Sequence, residues 1–247
     1  WLVESEYPDP QKSKIPTLSL SLWAQYVLDN YASVNEAVTA LEKEPFIVVT
    51  DQVPGEKRLA ALHLSISDAS GDSAIIEYID GKAVIHHSKK YQVMTNSPTF
   101  DKQLALNSYW EQIGGTVMLP GTNRASDRFA RASFYINAIP QTGTFEHSLA
   151  SAFSVIRNVS VPFGLNTEEE PNISSTRWRT VVDHKRKLYF FESAVSPNVF
   201  WVDLKDINFN DGKTRKLELG PDQSKIYSGK ANSSFVVTKP FTFLGIS

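Results

Sequence analysis

The chain has 247 residues, enough for one sizeable hydrophobic core; 41% are hydrophobic and 21% charged, cysteine is absent, and the formal net charge is −2. That balance gives no basic field for nucleic acid or an anionic membrane, and no apolar run approaches the roughly 20 residues of a membrane-spanning helix. Without cysteine, these residues hold no disulfide, no thiolate metal site and no thiol nucleophile.

Trp1-Leu2-Val3 reads as the end of a buried strand, and Pro8, Pro10 and Pro16 give the next stretch of chain the character of an extended link. Trp1 is not an initiator Met, and the first ten residues lack the basic and apolar regions of a signal peptide, so a segment is expected ahead of Trp1. Leu22, Trp23, Tyr26, Val27 and Tyr31 fall near helical spacing within residues 21–31. Ser33-Val34-Asn35-Glu36 is a capping box, which predicts a helix over 34–43 with Val34, Ala37, Val38 and Leu41 on its apolar face. A short strand is expected over 46–50. Leu62, Leu64 and Ile66 alternate with His63, Ser65 and Ser67, the pattern of a half-buried strand. Residues 73–79 and 82–87 flank Asp80-Gly81, a strong hairpin signal.

Thr95-Asn96-Ser97-Pro98 then reads as a turn, because Asn and Pro each bias the backbone toward one. Helices are predicted over 100–113, 125–139 and 144–158. Between the first two lies a loop, Gly114 to Gly121, whose glycines permit close approach to other backbone. Segments 178–183, 187–193 and 199–204 read as an antiparallel meander with polar turns at 184–186 and 196–198. The order is strands, helices, strands, with no visible domain boundary, which points to an α+β chain, either two layers of sheet sandwiching helices or a sheet with helices on one face.

Taken singly, the polar candidates have plain structural readings. An Asn before a Pro-containing turn most often bonds its own turn. Arg124 and Arg131 lie three or four residues from Arg128, so a basic helix face is the simpler account of Arg128. Core packing is the simpler account of Trp1 and Trp23. His86 and His87 are adjacent in a strand and face opposite sides, so they cannot hold one metal together. No His pair has the spacing of a zinc helix, and His63 near Ser65 lacks the G-x-S-x-G context of a serine hydrolase.

Three segments in order change the weighting. LHLSISDASGDSAIIEYIDGK from Leu62, VMTNSPTFDKQL from Val93 and LPGTNRASDRFARASF from Leu119 together resemble the choloylglycine hydrolase family, N-terminal-nucleophile hydrolases that cleave linear amide C–N bonds. The resemblance implies an αββα sandwich, two antiparallel sheets with helices outside, with residues 1–247 as a single hydrolase domain incomplete at its N-terminus. It implies a mature N-terminal Cys, nucleophile through its thiol and base through its α-amine, expected ahead of Trp1. The family's TN-x-P motif, matched at Thr95–Pro98, assigns Asn96 to the oxyanion hole. Its S-x-R-F motif, matched at Ser126–Phe129, places Arg128 near the nucleophile. A substrate-facing residue is expected at Trp1.

The implied reaction is hydrolysis of a small N-acyl amide through an acyl-enzyme, of the penicillin V acylase type. A bile salt hydrolase, an acyl-homoserine-lactone acylase, or a non-catalytic binding remnant with this fold are the alternatives. No cofactor or metal is implied, nor a nucleic-acid or membrane partner; a homo-oligomer is. The short link between Trp110 and Leu119 resembles the family's Gram-negative group, which implies a periplasmic or secreted protein, with a cytoplasmic one as the alternative.

Overall fold

The computed structural model describes residues 1–50, 52–53, 58–140, 143–168 and 174–241. They fall into two compact units, residues 1–133 and 134–241.

In the first unit, β1 (Thr17–Ser19) precedes α1 (Trp23–Asn30) and α2 (Val34–Leu41), and pairs in parallel with β2 (Ile47–Val49), Leu18 opposite Val48. The α2 capping box holds: Ser33 Oγ accepts from the Glu36 N–H at 3.2 Å, while the Glu36 carboxylate reaches back to the Ala32 N–H at 2.9 Å. Val34, Ala37, Val38 and Leu41 are all buried, the face that the periodicity predicts.

β3 (Leu64–Ser67), β4 (Ser73–Ile79) and β5 (Lys82–His87) form an antiparallel sheet with β4 central. The β4–β5 turn puts Asp80 at φ 50° and Gly81 at φ 72°, the left-handed pair a two-residue hairpin requires. Residues 73–78 of β4 are all buried, because elements cover both of its faces. One face carries Ala74, Ile76 and Tyr78 against residues of α1 and α2, including Trp23, Val27, Val38 and Leu41. The other carries Ile75, packed with Phe100 and Phe129, and Glu77. Trp23 is therefore a core residue, in edge contact with Tyr78 at 5.7 Å.

Phe100 opens α3 (Phe100–Ile113), and Phe129 lies in α4 (Ala125–Ala138), which begins in this unit. Gly114 ends α3 at φ 83°, a conformation that favours glycine, but a side chain there would meet open space. The expected close backbone approach of this loop is therefore absent at Gly114, and also at Gly121; the glycine at 114 serves the helix end.

In the second unit, α5 (Phe145–Asn158) starts with Thr144 Oγ1 accepting from the His147 N–H at 3.4 Å. The meander is β6 (Trp178–Asp183), β7 (Leu188–Ser193) and β8 (Val199–Asp203), all antiparallel. β9 (Thr214–Lys216) pairs with β11 (Val236–Thr238), and β10 (Gly229–Lys230) adds a parallel edge to β8. Phe145 and Phe153 of α5 pack on Phe190 of β7, with ring centroids 6.2 and 6.3 Å away. No helix among the described residues is long and apolar enough to cross a membrane.

Candidate active site

The segment after β5 crosses the Ile75–Phe100–Phe129 face and ends in the Thr95–Pro98 turn, whose Ser97–Pro98 peptide is cis. Neighbouring helices pin this turn. Gln103 of α3 donates from Nε2 to the Asn96 carbonyl at 3.0 Å and to Thr95 Oγ1 at 3.3 Å. Thr95 Oγ1 in turn donates to the Ala125 carbonyl, where α4 begins, at 3.0 Å. The backbone of Asn96 is thus fixed from two helices before its side chain does anything.

That side chain makes no bond to its own turn. Its Oδ1 accepts from Arg128 Nη2 at 2.5 Å, and its Nδ2 donates to the Trp1 carbonyl at 3.0 Å. The two partners settle which amide atom is which, since a guanidinium only donates and a carbonyl only accepts. One Nδ2–H is used on Trp1, so the second is left for another acceptor. A charged donor on Oδ1 polarises the amide and strengthens that remaining N–H.

Arg128 is itself anchored, its Nε donating to the Asn123 carbonyl at 3.0 Å. A uniform basic helix face is not what α4 presents: Arg124 is exposed, Arg128 half-buried and Arg131 buried. Arg131 donates to the carbonyls of Pro120 and Thr122 at 2.7 and 2.9 Å, which shapes the loop leading into α4. Burial, together with the neighbouring Arg131, lowers the Arg128 guanidinium from its ordinary value, yet a guanidinium stays charged throughout the physiological range.

Trp1 joins the pair through its backbone. Leu2, fully buried, donates its N–H to the Ala61 carbonyl at 3.1 Å, and the exposed Val3 donates its N–H to Ser97 Oγ at 2.8 Å. The Trp1 indole lies under the Arg58 guanidinium, 4.0 Å from the ring centroid. The structure therefore brings Asn96, Arg128 and Trp1 to one place, with a positive charge and a spare amide N–H. Such a place suits a developing oxyanion and favours a thiolate over a thiol.

Sequence reasoning gave no role to the groups beneath this turn. Glu77 sits mid-strand in β4, 1% exposed, and both its carboxylate oxygens accept from the Phe100 N–H at the start of α3, at 3.0 and 3.1 Å. His63 Nδ1 lies 3.2 Å from Glu77 Oε1, and His86 Nε2 lies 3.6 Å from Glu77 Oε2. His87 points the other way, to Asp72 at 2.9 Å, as adjacent strand residues must. The readable signal was the single charge inside the apolar run Ser73–Ile79.

Burial alone would raise the Glu77 carboxyl, but hydrogen bonds from His63, His86 and the Phe100 N–H outweigh it and bring the group from 4.5 to about 2. A carboxyl depressed in the folded state stabilises the fold above its unfolded pKa, and that contribution is lost as pH falls toward the folded one. Stability should therefore drop between pH 4.5 and about 2. Urea midpoints followed by circular dichroism across that window check this: Glu77→Gln should remove part of the slope. An unchanged slope would show that Glu77 is not held as an ionised group.

With this geometry in view, comparison with known proteins is informative. The family described as linear amide C–N hydrolases, choloylglycine hydrolase family, matches residues 3–217. A penicillin V acylase of Pectobacterium atrosepticum is 63% identical over 100% of this chain and 69% of its own length. A conjugated bile acid hydrolase of Lactobacillus acidophilus is 23% identical over 75% of this chain and 64% of its own. Among solved structures, a penicillin V acylase from Agrobacterium tumefaciens superposes with a TM-score of 0.90 at 66% identity, covering 100% of this chain and 75% of that one. A conjugated bile acid hydrolase from Clostridium perfringens, at 21% identity and a TM-score of 0.68, covers 99% of this chain and 74% of that one, and shows a shared fold. The α+β class with antiparallel sheets and helices is thus that of the N-terminal-nucleophile hydrolases it resembles. The chain belongs to the choloylglycine hydrolase family of linear amide C–N hydrolases.

Proposed function

We propose that this protein hydrolyses the side-chain amide of phenoxymethylpenicillin-like substrates through an acyl-enzyme. The observation that carries the reading is the convergence of Asn96, Arg128 and Trp1, three residues distant in sequence, on one carboxamide with a spare N–H. The 63% identity to a penicillin V acylase supports the substrate class over the bile acid hydrolases, which are far more distant.

In this mechanism a cysteine thiolate adds to the acyl carbon and the negative charge moves to the acyl oxygen. Asn96 donates its free Nδ2–H to that oxygen, with Arg128 fixing and polarising the carboxamide. The C–N bond then breaks, the amine leaves with a proton supplied by the catalytic base, and water hydrolyses the thioester. These 247 residues contain no cysteine, so the thiol has to come from outside them, and in this reading its segment reaches the site past Trp1. The Trp1 indole borders the acyl group.

The test compares kcat/KM of the native gene product for phenoxymethylpenicillin, a glycine-conjugated bile acid and an N-acyl homoserine lactone. Phenoxymethylpenicillin should lead by about tenfold or more, the scale on which pocket shape discriminates acyl groups; a lead for the bile acid conjugate would overturn the substrate assignment. The 247 residues alone should show no turnover above buffer. The short link between α3 and Leu119 supports a Gram-negative type of enzyme, and with it an exported homo-oligomer; osmotic-shock fractionation and light scattering check those two points.

A further inference from the structure

The reaction above makes no use of His63 and Glu77, whose side chains are 4% and 1% exposed. Their place is nonetheless specific. His63 Nε2 lies 2.9 Å from the carbonyl oxygen of Thr95, the peptide that leads into Asn96, and its Nδ1 faces Glu77. A proton inventory constrains the ring. The Thr95 carbonyl only accepts, so Nε2 carries a proton. Glu77 is held as a carboxylate by the N–H at the head of α3, where the helix dipole also favours negative charge. The ring thus bridges the β4 carboxylate to the Thr95 peptide.

We propose that Glu77 and His63 form a buried strut that fixes the Thr95–Asn96 peptide. They are positioning residues for the Asn96 carboxamide. Their consequence for catalysis rests on the oxyanion role proposed for Asn96; the strut itself does not. Each element around the pair supplies a matching group. His86 of β5 shares Glu77 at 3.6 Å, and Asp101 of α3 acts electrostatically on His86. On the far side of the turn, Gln103 of α3 and Arg128 of α4 hold Asn96 itself. The amide at the candidate site is thus gripped from above by a guanidinium and from below by the buried Glu77–His63 pair. A pair of this kind serves geometry more than stability, because desolvation offsets much of its attraction.

The ring is tested directly by long-range proton–nitrogen correlation spectra of the histidine-labelled native gene product. A proton on His63 Nε2, as its hydrogen bond to the Thr95 carbonyl requires, is expected; an Nε2 without a proton overturns the proposal. In Glu77→Gln, the Asn96 carboxamide resonances should shift, and unchanged resonances also overturn it. In the native gene product the same substitution should lower kcat up to about 100-fold with KM nearly unchanged, since a displacement near 1 Å costs that much; a change in KM alone argues against positioning. Should Glu77→Gln fail to fold, the wild-type ring measurement decides. Should wild type show no amidase activity, the functional reading fails, while the ring and carboxamide spectra still decide the strut.

Discussion

Replacing Asn96 by Ala should lower kcat for amide hydrolysis by the native gene product by about 10²–10³, or about 3–4 kcal/mol, the usual effect of losing one oxyanion donor. KM should move much less, because the hydrogen bond forms fully only when the acyl oxygen becomes anionic. Asn96→Asp is the sharper variant. An aspartate keeps an acceptor for Arg128, which Oδ1 now engages at 2.5 Å, but it has no N–H for the Trp1 carbonyl or for an oxyanion. Activity should fall at least as far as in the Ala variant while Arg128 keeps its partner. Steady-state kinetics with matched thermal melts check this; near-wild-type turnover in either variant would mean that the turn is only a turn.

Replacing Phe100 by Ala should cost about 3–5 kcal/mol of folding stability, the range for truncating a buried Phe. Phe100 is 2% exposed and packs with Ile75 and Phe129. Its ring also meets Tyr91 at 4.9 Å and His86 at 5.0 Å. Against a total stability of about 5–15 kcal/mol that is a large fraction. The damage should reach the site, since the Phe100 N–H is the backbone donor to Glu77 and the Thr95–Asn96 turn lies just ahead of α3. Phe100→Leu should lose much less. Urea unfolding of both variants measures the difference; a loss below about 1 kcal/mol in the Ala variant would show that this cluster can collapse around the gap.

Local signals predicted much of this fold because their causes are local. The Asp80-Gly81 turn requires two left-handed residues in sequence, and the hairpin spans 73–79 and 82–87 come from it. The α2 capping box and the apolar face of that helix are likewise written within ten residues. β1 was not legible: three residues form a parallel pair only because Ile47–Val49, some thirty positions away, is there to bond. Arg131 was not legible either, since nothing in a run of three arginines says which one turns inward to the Pro120 and Thr122 carbonyls. At the site, Asn96 and Arg128 stood out only through ordered motifs, each being unremarkable alone. Their direct hydrogen bond, and the buried Glu77–His63 pair below them, depend on how β3, β4, α3 and α4 meet, which no spacing records.

The central claim is that Asn96, oriented by Arg128, donates to the oxygen that becomes negative. The most direct measurement is a crystal structure of the native gene product with phenoxyacetaldehyde, whose thiohemiacetal with the catalytic thiol mimics the tetrahedral intermediate. The account predicts the hemiacetal oxygen at about 2.7–3.1 Å from Asn96 Nδ2, the range for an oxyanion donor, with Arg128 still on Oδ1. A hemiacetal oxygen turned away from Asn96 and held by other donors would contradict it.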